Sequence, residues 1–346
     1  STSTSTNPLA NVALACNDIM SFADINNDGK VDLLVTSKLS TTASLRLYKN
    51  VAALGAVASF ELLTNVTSDK SPFTGIVSLD QPIAAFGDLD NDGDADLVIG
   101  LSSGTSKLLY FENIGTPTTP FNFIQRGAPR PAENPPYPGN PFHNFNDLGM
   151  VGSLAPTLGD VDNDGDIDLV IGVQGEVVAG KHASPQNLQR LIFVENTGSV
   201  INPTFTYRSS PDLFFGFEEI RAAMDNDNDY TNPPETDIGF FGIQNPKPTL
   251  VDFDSDGDLD LLVGTAQGLF YFEFDVAKDV FETKAGTVND LVYEETPLSN
   301  PFGALSLGML HNDMLTTNAL DPFAHAYIAF ADMDSDGDLD AFVTSK

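Results

Sequence analysis

The same nine-residue pattern returns five times along the chain. Asp24 opens DINNDGKVD, Asp88 DLDNDGDAD, Asp160 DVDNDGDID, Asp252 DFDSDGDLD and Asp332 DMDSDGDLD. The copies start 64, 72, 92 and 80 residues apart, and each runs into an apolar segment such as DLVIG. Self-similarity of this kind marks a repeat architecture, in which each unit buries its faces only against its neighbours.

Each copy after the first crowds five aspartates into nine positions. At ~5 Å two carboxylates repel by about 0.8 kcal/mol even in water, so a folded loop of this kind needs a counter-charge. Positions 1, 3, 5 and 9 carry oxygen donors. Position 6 is always glycine (Gly29, Gly93, Gly165, Gly257, Gly337), which suits a sharp turn around a cation. Position 7 can serve through its backbone carbonyl, so Lys30 is tolerated where the other loops have Asp. A flexible, all-oxygen, carboxylate-rich donor set favours Ca²⁺. Zn²⁺ would call for nearby His or Cys, and Mg²⁺ keeps its waters. The EF-hand shares the first half of the pattern but closes with Glu at position 12 between helices. Here that position is Val35, Ile99, Ile171, Val263 and Val343, each inside an apolar run, so the EF-hand is rejected and the Asp at position 9 must close the loop.

The surroundings recur as well. Aromatic segments LRLYKN (45–50), LLYFENIGT (108–116), LIFVENTGS (191–199) and GLFYFEF (268–274) follow the first four loops and read as strands entering turns. Pro-aromatic elements come next, as in SPFTGI, NPFHNF, SPDLFFGF and NPFGAL, then a short apolar strand leads into the next loop. The DLVIG-type strands are apolar on both faces, as in strands buried between stacked sheets. No long amphipathic helix is apparent. The expected fold is all-β, a β-propeller of four-stranded blades with calcium-binding hairpin loops and long inter-strand insertions such as 127–141. Five blades are favoured, with up to seven if the chain is a fragment. Residues 17–346 form the repeat domain, and residues 1–16 form an N-terminal segment that could close the last blade.

These loops resemble the FG-GAP repeat and the related VCBS-type repeat of integrin α-subunit propellers and many secreted proteins. The pattern D-x-D-x-D-G-x-x-D followed by three apolar residues and Gly is matched at 88–100, 160–172 and 252–264. It is matched less fully at 24–35 and 332–343, where Thr36 and Thr344 replace the closing Gly. The resemblance implies about five Ca²⁺ ions. It implies side-chain ligands Asp24, Asn26, Asp28 and Asp32; Asp88, Asp90, Asp92 and Asp96; Asp160, Asp162, Asp164 and Asp168; Asp252, Asp254, Asp256 and Asp260; and Asp332, Asp334, Asp336 and Asp340. Backbone oxygens would come from Lys30, Asp94, Asp166, Asp258 and Asp338. Residues 225–237, DNDNDYTNPPETD, repeat the Asp spacing but put Tyr230 where Gly belongs, and read as a polar loop before a sixth metal site.

Charge narrows the partners. With 49 acidic against 16 basic residues the formal net charge is −33, which argues against nucleic acid and anionic membrane surfaces. Five calcium ions would leave it at −23, so the exterior is acidic even when loaded. No run of 18 apolar residues suggests membrane insertion. Cys16, the single cysteine, reads as a small core residue. His143, His182, His311 and His325 lie outside the repeats, and the sequence has no G-x-S-x-G, H-E-x-x-H or P-loop. The sequon Asn65-Val66-Thr67 is a weak pointer to a secreted glycoprotein. The expectation is a non-catalytic, calcium-stabilised adhesion, recognition or structural module, extracellular or at the cell surface. Its partner would be a protein or glycan, or further copies of itself. Two alternatives are a polysaccharide lyase or hydrolase on the same scaffold, and a subunit of an extracellular filament or coat.

Overall fold

The structure is a computed structural model. It describes residues 7–15, 18–37, 45–63, 73, 79–102, 107–116, 119–127, 139–142, 153–174, 191–199, 203–208, 214–215, 246–265, 268–275, 280–286, 327–334 and 336–344. Cys16, Asn65, the four histidines and 225–237 lie outside this set. The described residues contain strands and no helix, and no helix is long and apolar enough to cross a membrane.

The strands form repeated antiparallel sheets about a common centre, a β-propeller. The first blade is β1 (Asp18–Ala23), β2 (Asp32–Ser37), β3 (Leu45–Asn50) and β4 (Phe60–Leu62), ordered β1-β2-β3-β4. The second repeats this with β5 (Ile83–Gly87), β6 (Asp96–Gly100), β7 (Leu108–Asn113) and β8 (Phe123–Arg126). The third uses β9 (Ser153–Gly159), β10 (Asp168–Gln174), β11 (Leu191–Asn196) and β12 (Phe205–Tyr207). The fourth is β14 (Lys247–Val251), β15 (Asp260–Thr265), β16 (Gly268–Asp275) and β17 (Val280–Gly286). The short β13 (Phe214–Phe215) is added parallel to β17 at its outer edge. Two described strands, β18 (Tyr327–Ala331) and β19 (Asp340–Thr344), belong to the last sheet.

The inner strands β1, β5, β9, β14 and β18 each lie beside the next, and β18 lies beside β1, so the ring closes on itself. Side chains stitch these strands together. The Ser21 hydroxyl donates to the Ala84 carbonyl at 2.7 Å, and the Thr249 hydroxyl to that of Ile328 at 2.8 Å. The Leu250 amide donates to Thr157 Oγ1 at 3.2 Å. Ile83, Ala155, Tyr327 and Ala329 pack together among the inner strands, with Ile19 and Phe22 against them.

Period-two alternation explains the doubly apolar strands. In β6, Leu97 and Ile99 join the cluster shared with the first blade, whereas Val98 joins the cluster shared with the third. In β10, Leu169 and Ile171 face the second blade and Val170 faces the fourth. Each such fully buried side chain contributes about 1.5–3 kcal/mol, so blades are held by their neighbours more than by themselves. The Pro-aromatic elements act here too. Phe73 stacks on Phe123 at 5.2 Å in the first junction, and Phe142 lies 4.6 Å from Phe205 in the second.

The described N-terminal residues 7–15 contain no strand; Leu9 and Val12 pack where the first blade meets Ala331 and Met333 of the last sheet. Across this closure the Ala58 amide donates to the Met333 carbonyl at 2.7 Å.

Candidate metal centres

Each acidic loop is the hairpin between the first and second strands of its sheet. Position 9 is the first residue of the second strand, paired across the ladder with the last residue of the first: Asp32 with Ala23, Asp96 with Gly87, Asp168 with Gly159, Asp260 with Val251 and Asp340 with Ala331. Two left-handed residues make the turn. Position 4 has φ between 53° and 62° at Asn27, Asn91, Asn163 and Ser255, and the glycines at position 6 have φ from 79° to 99°. Asn tolerates this region and Gly enters it freely, which accounts for both residue choices.

In the first three loops the position-1 carboxylate organises the turn by accepting the amides of positions 5 and 6. Asp164 and Gly165 donate to Asp160 at 3.0 and 2.9 Å, Asp92 and Gly93 to Asp88 at 3.1 and 3.0 Å, and Asp28 and Gly29 to Asp24 at 3.0 and 2.8 Å. Position 5 accepts from position 7, as where the Asp166 amide donates to Asp164 Oδ1 at 2.9 Å.

The position-9 aspartate ties the loop to the sheet through hydrogen bonds. Asp96 Oδ1 accepts the Asn113 amide at 2.8 Å; its Oδ2 accepts the Leu89 amide at 3.1 Å and the Tyr110 hydroxyl at 2.9 Å. Asp168 accepts the Asn196 and Val161 amides at 2.8 and 3.1 Å, and Asp32 accepts the Asn50 amide at 2.8 Å. One carboxylate thus pins the loop start to the end of the third strand.

Converging oxygens remain. In loops two to five three carboxylates each bring a ligand atom within 4.8 Å of the others: Asp88, Asp90 and Asp92; Asp160, Asp162 and Asp168; Asp252, Asp254 and Asp256; Asp332, Asp334 and Asp336. Among the described residues, six buried side-chain polar atoms lack a hydrogen-bond partner: Oδ1 of Asn26, Asp90, Asp162, Asp252, Asp260 and Asp332. All six belong to the acidic loops, and every loop has at least one. Buried oxygens left unsatisfied are costly and rare, so the donor set fits a hard cation that takes oxygen ligands.

Electrostatics agree. Burial pushes the carboxyls of Asp32 and Asp168 up to about 7, Asp96 up to about 8, and Asp260 and Asp90 up to about 6, against an ordinary 3.8. Neighbouring aspartates add to the rise, while amide donors such as Asn113 on Asp96 oppose it. Raised carboxyls bind more protons folded than unfolded, so without metal their contribution is complete below about pH 4 and is lost as pH rises through 6 to 8. Metal-free protein should therefore melt at a higher temperature at pH 5 than at pH 8. A calorimetric series in chelator-treated buffer showing the reverse trend over that window would refute these burial-driven shifts.

Three structural roles had no expectation attached. Position 2 is a plug into the next blade: Ile25 enters the first junction, Leu89 the second, Val161 the third, Phe253 the fourth, and Met333 returns to the first blade. The recurring Asn at the end of the third strand caps the following turn. Asn50 Oδ1 accepts from Ala52 and Ser59, Asn196 Oδ1 from Gly198 and Thr204, and Asn113 donates to the Ile25 carbonyl in the preceding loop. The closing Gly is a contact point: a Cβ on Gly100 would lie 2.2 Å from the Leu154 carbonyl, and one on Gly172 2.1 Å from that of Pro246. At the equivalent position Thr36 instead donates to the Pro82 carbonyl at 2.9 Å. The recurring YKN, FEN and VEN triplets were the available signal for the Asn; position 2, always apolar, was the signal for the plug.

Residues 24–99, from the opening of the first loop through the strand after the second, match the family model of the FG-GAP-like repeat. No curated protein matches the chain.

Proposed function

We propose that this chain, which carries an FG-GAP-like repeat at residues 24–99, is a calcium-stabilised recognition or structural module, extracellular or at the cell surface, with no catalytic activity of its own. The observation that carries the calcium reading is the placing of unsatisfied buried oxygens in every acidic loop. The side chains at positions 1, 3, 5 and 9 and the carbonyl at position 7 would hold the ion. Calcium would supply the charge that self-repelling loops lack, and so fix the plugs between blades.

The recognition reading follows from charge and architecture. A propeller rim joined by long insertions offers variable surface on a rigid frame, and a chain at −33 disfavours anionic partners. The partner class is a protein or glycan of the cell surface or matrix. Two measurements test the proposal. Titrating chelator-stripped protein with calcium should release heat that magnesium does not reproduce. A glycan and matrix-protein binding screen should give calcium-dependent binding without altering the ligand. Absence of calcium uptake overturns the first half, and a cleaved polysaccharide product overturns the second.

A further inference from the structure

The first loop departs from the others in charge. It carries three acids where the others carry five, with Asn26 at position 3 and Lys30 at position 7. Lys30 Nζ donates to the Asn50 and Ala52 carbonyls at 3.1 and 3.2 Å and lies 3.4 Å from Asp28 Oδ2. Lys49 Nζ lies 3.4 Å from the same oxygen and 5.8 Å from the centre of the Phe121 ring, so the second blade helps to hold it there. Asn26 Nδ2 donates to Asp32 Oδ2 at 3.0 Å, a hydrogen bond that an Asp at this position could not make when ionised.

We infer that the ammonium groups of Lys30 and Lys49 take over most of the counter-charge in the first loop, making it the weakest calcium site of the five and one that stays folded without the ion. The inference rests on the calcium reading above. Lys30 does for this loop what a bound cation would do elsewhere: it ties the turn to the connection between β3 and β4 while neutralising a position-5 carboxylate. A divalent ion at Asp28 would meet two like charges already beside that carboxylate, and like charges at such range lower affinity steeply. It would also find a neutral amide oxygen at position 3, and calcium affinity falls with the number of charged ligands. The orphaned Asn26 Oδ1 leaves a seat for an ion, but a poorly charged one.

Native mass spectrometry over a calcium series tests this, alongside hydrogen exchange read with and without the ion. Four ions should bind together and a fifth only at calcium at least about tenfold higher, since each tenfold in affinity is one step of ~1.4 kcal/mol. Lys30→Gln, and more strongly Lys30→Asp, should bring the fifth ion toward the others. The Asp28 and Gly29 amides should be equally protected with and without calcium in the native chain. Those of Asp92, Gly93, Asp164 and Gly165 should lose protection when it is removed. Five equal sites unmoved by Lys30→Gln overturn the inference alone. Calcium-dependent protection at Gly29 matching that at Gly93 does the same, even if the variants fold poorly. Binding of no ion at any loop overturns the calcium reading and this inference with it.

Discussion

Stripping divalent ions should lower the melting temperature of this protein by at least about 10 °C, and calcium should restore it. A ligand held only by the folded state, at about a hundred times its dissociation constant, adds about 2.7 kcal/mol per site. Four strong sites, as proposed above, would thus amount to roughly 11 kcal/mol. For domains of 150–250 residues 1 kcal/mol moves the midpoint by about 2–4 °C, and by less in larger ones; even half that response exceeds 10 °C. The loss has a defined route. In the absence of a cation the buried carboxylates of Asp96, Asp168 and Asp260 must take up protons or remain unbalanced. The hairpins should then loosen, and Leu89, Val161 and Phe253, which pack between blades, should lose their hold there. Differential scanning calorimetry with and without chelator reads the shift directly; a transition that does not move would remove the structural role assigned to calcium. Asp162→Ala should reproduce part of the loss in calcium-replete buffer, because it deletes one orphaned oxygen of a single site.

The local chemistry was legible because it is written within single repeats. Gly at position 6 and the Asp at positions 1, 3, 5 and 9 announce a turn and a donor set. The alternation in DLVIG and LLYFEN announces strands and their order. Relations between repeats were not legible. That Ile25 packs in the junction with the second blade depends on how far one sheet is rotated from the next, and no spacing within 24–32 encodes that angle. The position-9 Asp was expected to close the loop, but its partners, the amides of Asn50, Asn113 and Asn196, sit 17 to 28 residues further on. The ring closure came from tertiary packing too: Met333 inserts beside Leu33, Tyr48 and Phe60, at the far end of the sequence.

Gly172→Ala should be among the most damaging of the methyls that could be added to the described glycines with ordinary backbone angles. Its Cβ would stand 2.1 Å from the Pro246 carbonyl oxygen and 2.7 Å from the ring of Pro248, both on the next blade's inner strand or its approach. The obstacle is largely backbone, which cannot swing aside as a side-chain tip can. Gly172 is also paired on both sides, with Ala155 of β9 and Leu191 of β11, so its own strand cannot retreat without breaking two ladders. Overpacking a closed core costs about 1–3 kcal/mol where atoms can give way, and more where they cannot. We expect about 3 kcal/mol or more for Ala, and no folded ring for Gly172→Val. Gly127→Ala is the matched control, since its Cβ would meet nothing within 4 Å. Urea unfolding of the two alanine variants in calcium buffer gives the comparison, and equal midpoints would contradict the close approach of the third and fourth blades. Thr36 shows how the first blade meets the same constraint differently: its hydroxyl turns an otherwise repulsive approach to the Pro82 carbonyl into a hydrogen bond. Thr36→Val, which keeps the shape and removes the donor, should therefore destabilise the first junction by roughly 1–3 kcal/mol, because it leaves that buried acceptor without its partner.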